Sequence, residues 1–124
     1  MSKAHEAYTN SSRMVIADPR EFEATLLLKA ATKLQQLRDQ GDNVRVRDSE
    51  PVLVYNRKIW TVFAASAAED EHPLPKPIKQ NIATLAVFIF KQTATYQSTG
   101  EARLLDTLIT INREIAAGLF QKAA

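Results

Sequence analysis

The 124-residue chain contains no cysteine, which excludes disulfides, thiol nucleophiles and thiolate metal sites and fits a reducing compartment. Histidine is almost as scarce, since only His5 and His72 occur and they show no metal-ligand spacing. We expect both to be surface side chains. The three glycines form no phosphate-binding loop, and no serine stands in a nucleophile-elbow motif. We therefore expect a protein that is not an enzyme and that holds no metal or cofactor.

Long hydrophobic runs are also missing. No run approaches the ~20 apolar residues that a membrane-spanning helix needs, and the first residues lack the apolar stretch of a signal peptide. We therefore expect a cytoplasmic protein without membrane contact.

An excess of one charge is absent too, because sixteen Lys and Arg against fourteen Asp and Glu leave a net charge of +2. Nucleic-acid-binding proteins usually carry a clustered basic face. The nearest cluster here is interrupted by acidic residues and consists of Arg45, Arg47, Arg57 and Lys58. This pattern argues against direct nucleic-acid binding.

Apolar residues make up 45% of the chain and recur with a helical period, without strand alternation. Asp18-Pro19 predicts the start of a first helix that ends near Gln40, before Gly41. Ser49 is the predicted N-cap of the second helix, after a polar loop at 42–48. Further helices are predicted over 76–97 and 101–120. The sequence therefore predicts an all-α compact bundle of four long helices in a single domain, 18–124, with residues 1–17 forming an N-terminal arm or a short fifth helix.

The third helix is apolar on most of its circumference. One face carries Ile82 and Ile89, and a second face carries Val87 and Phe90. Such a helix lies in the middle of a bundle or offers one face to a partner. The pattern favours the central position and leaves the exposed face open as the alternative.

Two asparagines interrupt apolar stripes at the same helical position. Asn56 stands one turn before Ile59, and Asn112 one turn before Ile115. A buried amide is costly unless it is hydrogen-bonded. We therefore predict that both are buried and bonded to each other or to Asn81.

Glu23 is the one carboxylate inside the apolar arc of the first helix. A buried charge without a partner is strongly destabilising. We predict that Glu23 pairs with Arg57 or Arg113. Gly118, near the end of the last helix, is expected to permit a close helix approach or an early helix end.

Four segments together resemble one protein family. They are residues 19–24 with Leu26-Leu27, residues 55–63, Pro73-Leu74-Pro75 followed by Asn81-Ile82, and residues 109–119. In order and content they resemble the FlaF family of flagellar biosynthesis proteins from alphaproteobacteria, over about residues 19–120. The loop at 42–48 departs from the family pattern.

The resemblance implies a factor that binds flagellin before secretion, as an export chaperone and a positive regulator of flagellin synthesis. It also implies a functional link to FlbT, a post-transcriptional repressor of flagellin synthesis. The alternative is a post-transcriptional regulator that acts on flagellin mRNA, either directly or through FlbT. A chaperone needs an apolar surface for its partner. We expect that surface in a groove between the third and last helices, at Val87, Phe90, Leu105 and Phe120.

Overall fold

The computed structural model describes residues 19–121, which fold into four α-helices. They are α1 (Pro19–Asp39), α2 (Val46–Ala68), α3 (Lys76–Thr99) and α4 (Leu104–Phe120). No strand occurs between residues 19 and 121. The predicted all-α bundle of four long helices is confirmed. The predicted N-terminal arm or fifth helix at 1–17 lies outside the described residues.

The helices form a ring in which α1 packs most extensively against α4 and also against α2, while α3 packs against α2 and more sparsely against α4. The leucines of α1 recur at helical spacing, and Leu27, Leu34 and Leu37 are fully buried. The largest buried side chain is Trp60, whose ring meets Phe63 edge-on with centroids 5.5 Å apart. The core therefore lies between α1, α2 and α4, with one face of α3 closing it.

Only one face of α3 is buried, and it consists of Ile82, Ala86, Ile89, Thr93 and Tyr96. Residues of the second apolar face remain accessible, with Val87 51% exposed. The favoured central position of this helix is therefore wrong. The physical reason is that α3 packs mainly against α2 and α4, so its outer side has no cover among the described helices.

The second helix begins earlier than predicted. It starts at Val46, so Pro51 falls inside the helix rather than at its start. The Ser49 hydroxyl donates to the carbonyl of Val46 at 3.2 Å instead of capping the helix. The backbone N–H groups of Asp48 and Ser49 donate to the carbonyl of Arg45 at 2.9 and 3.0 Å, so backbone bonds close the extra turn.

The α1–α2 loop is tied to the α3–α4 turn. The backbone N–H of Asn43 donates to the carbonyl of Gly100 at 2.9 Å, and the Asp42 carboxylate accepts from the N–H of Ala102 at 2.8 Å. These bonds join segments some 60 residues apart in the chain. The loop at 42–48 thus closes one end of the bundle.

Candidate partner-binding surface

An apolar groove of about 440 Å³ runs between α1 and α2, and we call it the first groove. From α1 it is lined by Pro19, Phe22, Glu23 and Leu26, and from α2 by Tyr55, Lys58, Ile59, Val62, Phe63 and Ser66. Each of these α2 residues has another one three or four positions away, which places them on one helical face. The helical period of the sequence therefore determines the α2 side of the groove, and the packing of α1 against α2 supplies the other side.

A second groove lies on the other side of α2, towards α3, and is lined by Val54, Arg57, Lys58, Thr61, Val62 and Phe90. Val62 and Lys58 line both grooves. The Val62 side chain is 69% exposed although it is apolar. The α2 ridge between the grooves is therefore an accessible apolar surface with grooves on both sides.

The predicted partner-binding residues do not meet in one groove. Val87 and Phe120 are exposed, at 51% and 46%, and Phe90 is half-buried in the second groove. Leu105 is fully buried in the core, so its expected place on the surface is wrong. The groove at Phe90 is bordered by α2 and not, as predicted, by the last helix.

Sequence reasoning missed the α1–α2 groove. Helical periodicity places Ile59 and Tyr55 on the apolar side of α2, and Phe22 and Leu26 on that of α1, but it does not show that the two sides border a groove. The sequence does carry a signal at Val62, because a valine three residues after Ile59 widens the apolar arc of α2 beyond what one neighbouring helix covers.

The two asparagines form the predicted buried pair. Asn112 Nδ2 donates to Asn56 Oδ1 at 2.8 Å and to the carbonyl of Leu27 at 3.3 Å. Asn112 Oδ1 accepts from the indole N–H of Trp60 at 2.8 Å. Both asparagines are buried, whereas Asn81 is exposed and takes no part. The network joins α1, α2 and α4 at the centre of the core.

The predicted pairing of Glu23 with Arg57 or Arg113 is wrong. Its carboxylate oxygens lie 2.8 and 3.1 Å from Nε2 of His72, which is buried rather than at the surface as expected. Because a carboxylate only accepts, Nε2 carries the donated proton. The turn after α2 brings His72 over α1, a placement that helix periodicity does not encode.

The two arginines have other partners. The Arg57 guanidinium lies 3.4 Å from the Glu50 carboxylate on its own helix. The Arg113 guanidinium reaches the side-chain oxygen of Gln35 at 3.5 Å. Both are surface contacts, so neither arginine contributes a buried charge to the core.

Two titratable groups with a raised pKa, Arg38 and Tyr96, lie at the loop end of the bundle. A hydrogen bond to Asp106 and its negative charge raise the pKa of the Arg38 guanidinium. Burial raises the pKa of the Tyr96 phenol, and the charge of Asp42 adds to this.

Within the described range, no three metal-ligating side chains come together, and no helix is long and apolar enough to cross a membrane.

Comparison with known proteins places the chain in a family. No curated protein and no solved structure matches it. The family model for flagellar protein FlaF matches residues 4–119, which include all four helices except the last residue of α4. This match confirms the resemblance carried by the four sequence segments. The chain thus belongs to the FlaF family and is a flagellar protein.

Proposed function

We propose that this protein binds flagellin in the cytoplasm before secretion, as an export chaperone and a positive regulator of flagellin synthesis. It would act by binding alone, without catalysis and without a cofactor. Membership of the FlaF family supports a flagellar role. The observation that carries the proposal of binding is the accessible apolar surface of α2, with Val62 between two grooves.

The surface suits a helical ligand better than a small molecule. Both grooves are open and run beside α2. The first is lined mostly by apolar side chains, and the second by three apolar side chains and three polar or charged ones. An amphipathic helix laid in such a groove buries its apolar face, which is a recurring mode of peptide recognition. The terminal segments of flagellin are amphipathic and would associate if left free. Covering one of them before export would keep flagellin monomeric.

A regulatory role follows from the same binding. A protein that holds newly made flagellin links the level of free flagellin to its synthesis, with FlbT as a second partner. Direct action on flagellin mRNA would need a basic face. However, Arg57 is paired with Glu50, and Arg47 lies 4.0 Å from Asp48. We therefore place protein binding ahead of RNA binding.

The test is co-purification of flagellin with wild-type protein and with Val62→Asp. The substitution puts a carboxylate between both grooves, where a bound apolar helix would bury it, and we expect binding to weaken by roughly tenfold or more. Thermal unfolding should change little, because Val62 is 69% exposed in the free protein.

Ala65→Asp is the matched control, since Ala65 is exposed on the same helix and lines neither groove. It should bind flagellin like wild type. Absence of flagellin binding by the wild-type protein would refute the proposal. Loss of the complex on RNase treatment would instead favour the mRNA alternative.

A further inference from the structure

The first groove has different charges at its two ends. At the Pro19 end the charged lining residue is Glu23, whose carboxylate is held by the buried ring of His72. At the Tyr55 end the lining residue is Lys58, and Lys33 Nζ lies 5.2 Å from the centroid of the Tyr55 ring. The positive charge of the groove therefore lies at its Tyr55 end, and its carboxylate, Glu23, is bonded to His72.

A third lysine extends this positive end. Lys29 follows Leu26 by three residues on α1, so the two side chains share a helical face. Lys29 and Lys58 are exposed and Lys33 is half-buried. None of these three lysines lies within 4.0 Å of a carboxylate of residues 19–121, because the ion pairs of that range involve Arg or His. We call Lys29, Lys33 and Lys58 the lysine cluster.

Lysines that have no carboxylate partner within residues 19–121 and lie beside an apolar groove favour a ligand that supplies acidic groups beside an apolar face. Tyr55 and Ser66 are eleven residues apart on α2, which gives a groove roughly 16 Å long, or about three helical turns of a ligand. A nucleic acid would satisfy the lysines but has no aliphatic face to fill the groove. An amphipathic helix with acidic residues satisfies both requirements.

We propose that the first groove binds an amphipathic helix of its partner whose acidic residues lie at one end, over the lysine cluster. The cluster orients the ligand, because the reversed direction would leave the acidic residues beside Glu23. The C-terminal end of a ligand helix, with its partial negative charge, is also favoured at the lysine cluster. This inference rests on the proposed binding of flagellin and names the chemistry of the segment that is recognised.

The test measures the affinity of purified flagellin for wild-type protein, Lys58→Glu and Lys91→Glu. Lys91 is exposed on α3 and lines neither groove, so both substitutions change the net charge equally. We expect Lys58→Glu to raise Kd about fivefold at low salt, as is typical of a lost rim ion pair. The difference should largely disappear at roughly 0.5 M salt, where exposed charges are screened. Lys91→Glu should bind like wild type.

The outcomes separate this inference from the proposed function. If wild type and both lysine variants bind flagellin equally while Val62→Asp does not, the lysine cluster has no role and only the inference fails. If flagellin does not bind the wild-type protein at all, the proposed function and the inference fail together. If Val62→Asp changes the oligomeric state on size-exclusion chromatography, a second copy of the chain covers the groove and the inference is overturned.

Discussion

At the residue scale, Asn112 organises the buried polar network. Its oxygen faces the indole N–H of Trp60, so its amide nitrogen must face Asn56 and the carbonyl of Leu27. Asn56 then has to present its own oxygen, which leaves Asn56 Nδ2 buried without a partner among the described residues. The two asparagines are therefore energetically unequal although they stand in similar sequence contexts.

This inequality predicts different costs for the same substitution. Asn112→Ala leaves Trp60 Nε1 and Asn56 Oδ1 without partners, and we expect a loss of about 1–3 kcal/mol in the free energy of unfolding. Asn56→Ala removes an amide that is already half unpaired, and Asn112 Nδ2 keeps its bond to Leu27, so the loss should be smaller. Urea denaturation of both variants measures the difference. Equal losses would show that the amide orientations are not those described.

At the element scale, two glycines have opposite roles. Gly100 ends α3 with φ of +69°, and a Cβ there would lie 2.9 Å from Asn43 Oδ1. Gly118 lies inside α4, where a Cβ would meet no atom within 4 Å. Neither a close helix approach nor an early end, the expectations from the sequence, applies at Gly118, because the helix continues to Phe120. Of these two glycines, only Gly100 is structurally required.

Alanine at the two positions should therefore shift stability in opposite directions. Gly100→Ala forces a left-handed conformation and a clash with the α1–α2 loop, and we expect a loss of roughly 1–2 kcal/mol. Gly118→Ala lowers the backbone entropy of the unfolded chain and should stabilise by about 0.5–1 kcal/mol. Thermal unfolding followed by circular dichroism distinguishes the two. A destabilised Gly118→Ala variant would mean that this face of α4 packs against something in solution.

At the scale of the whole molecule, two sets of hydrogen bonds connect elements that are distant in sequence: the asparagine network in the core and the bonds between the α1–α2 loop and the α3–α4 turn. Asn112 of α4 bonds to both α1 and α2, and Asp42 of the first loop bonds to Ala102 before α4. Trp60, the single tryptophan of the chain, is fully buried where these helices meet. Its fluorescence therefore reports the packing of the core, whereas circular dichroism reports all helices.

This arrangement predicts one cooperative unfolding transition. The urea midpoints from Trp60 fluorescence and from far-ultraviolet circular dichroism should coincide, because helices that share one core lose their structure together. Phe90→Tyr, a conservative change in the half-buried second groove, serves as a control that should leave the coincidence intact. Separate midpoints would contradict the prediction of a single domain over 18–124.

The sequence by itself determined the four helices, the buried asparagine pair and the family. These features rest on local information: helical periodicity, glycines after long helices, and segments read in order. It also placed Val87 and Phe120 in apolar arcs, and both prove accessible. Periodicity identifies which residues share a face, but not which neighbour covers that face.

Only the tertiary structure decided those neighbours. It placed Leu105 in the core, left α3 with an uncovered side and opened the first groove between α1 and α2. It also gave Glu23 a histidine as its partner, because the turn after α2 folds His72 back over α1. The sequence could not determine these neighbours because several different side chains can pair with a charge, and several different helices can cover an apolar face. The loops and the order in which helices pack select one of them.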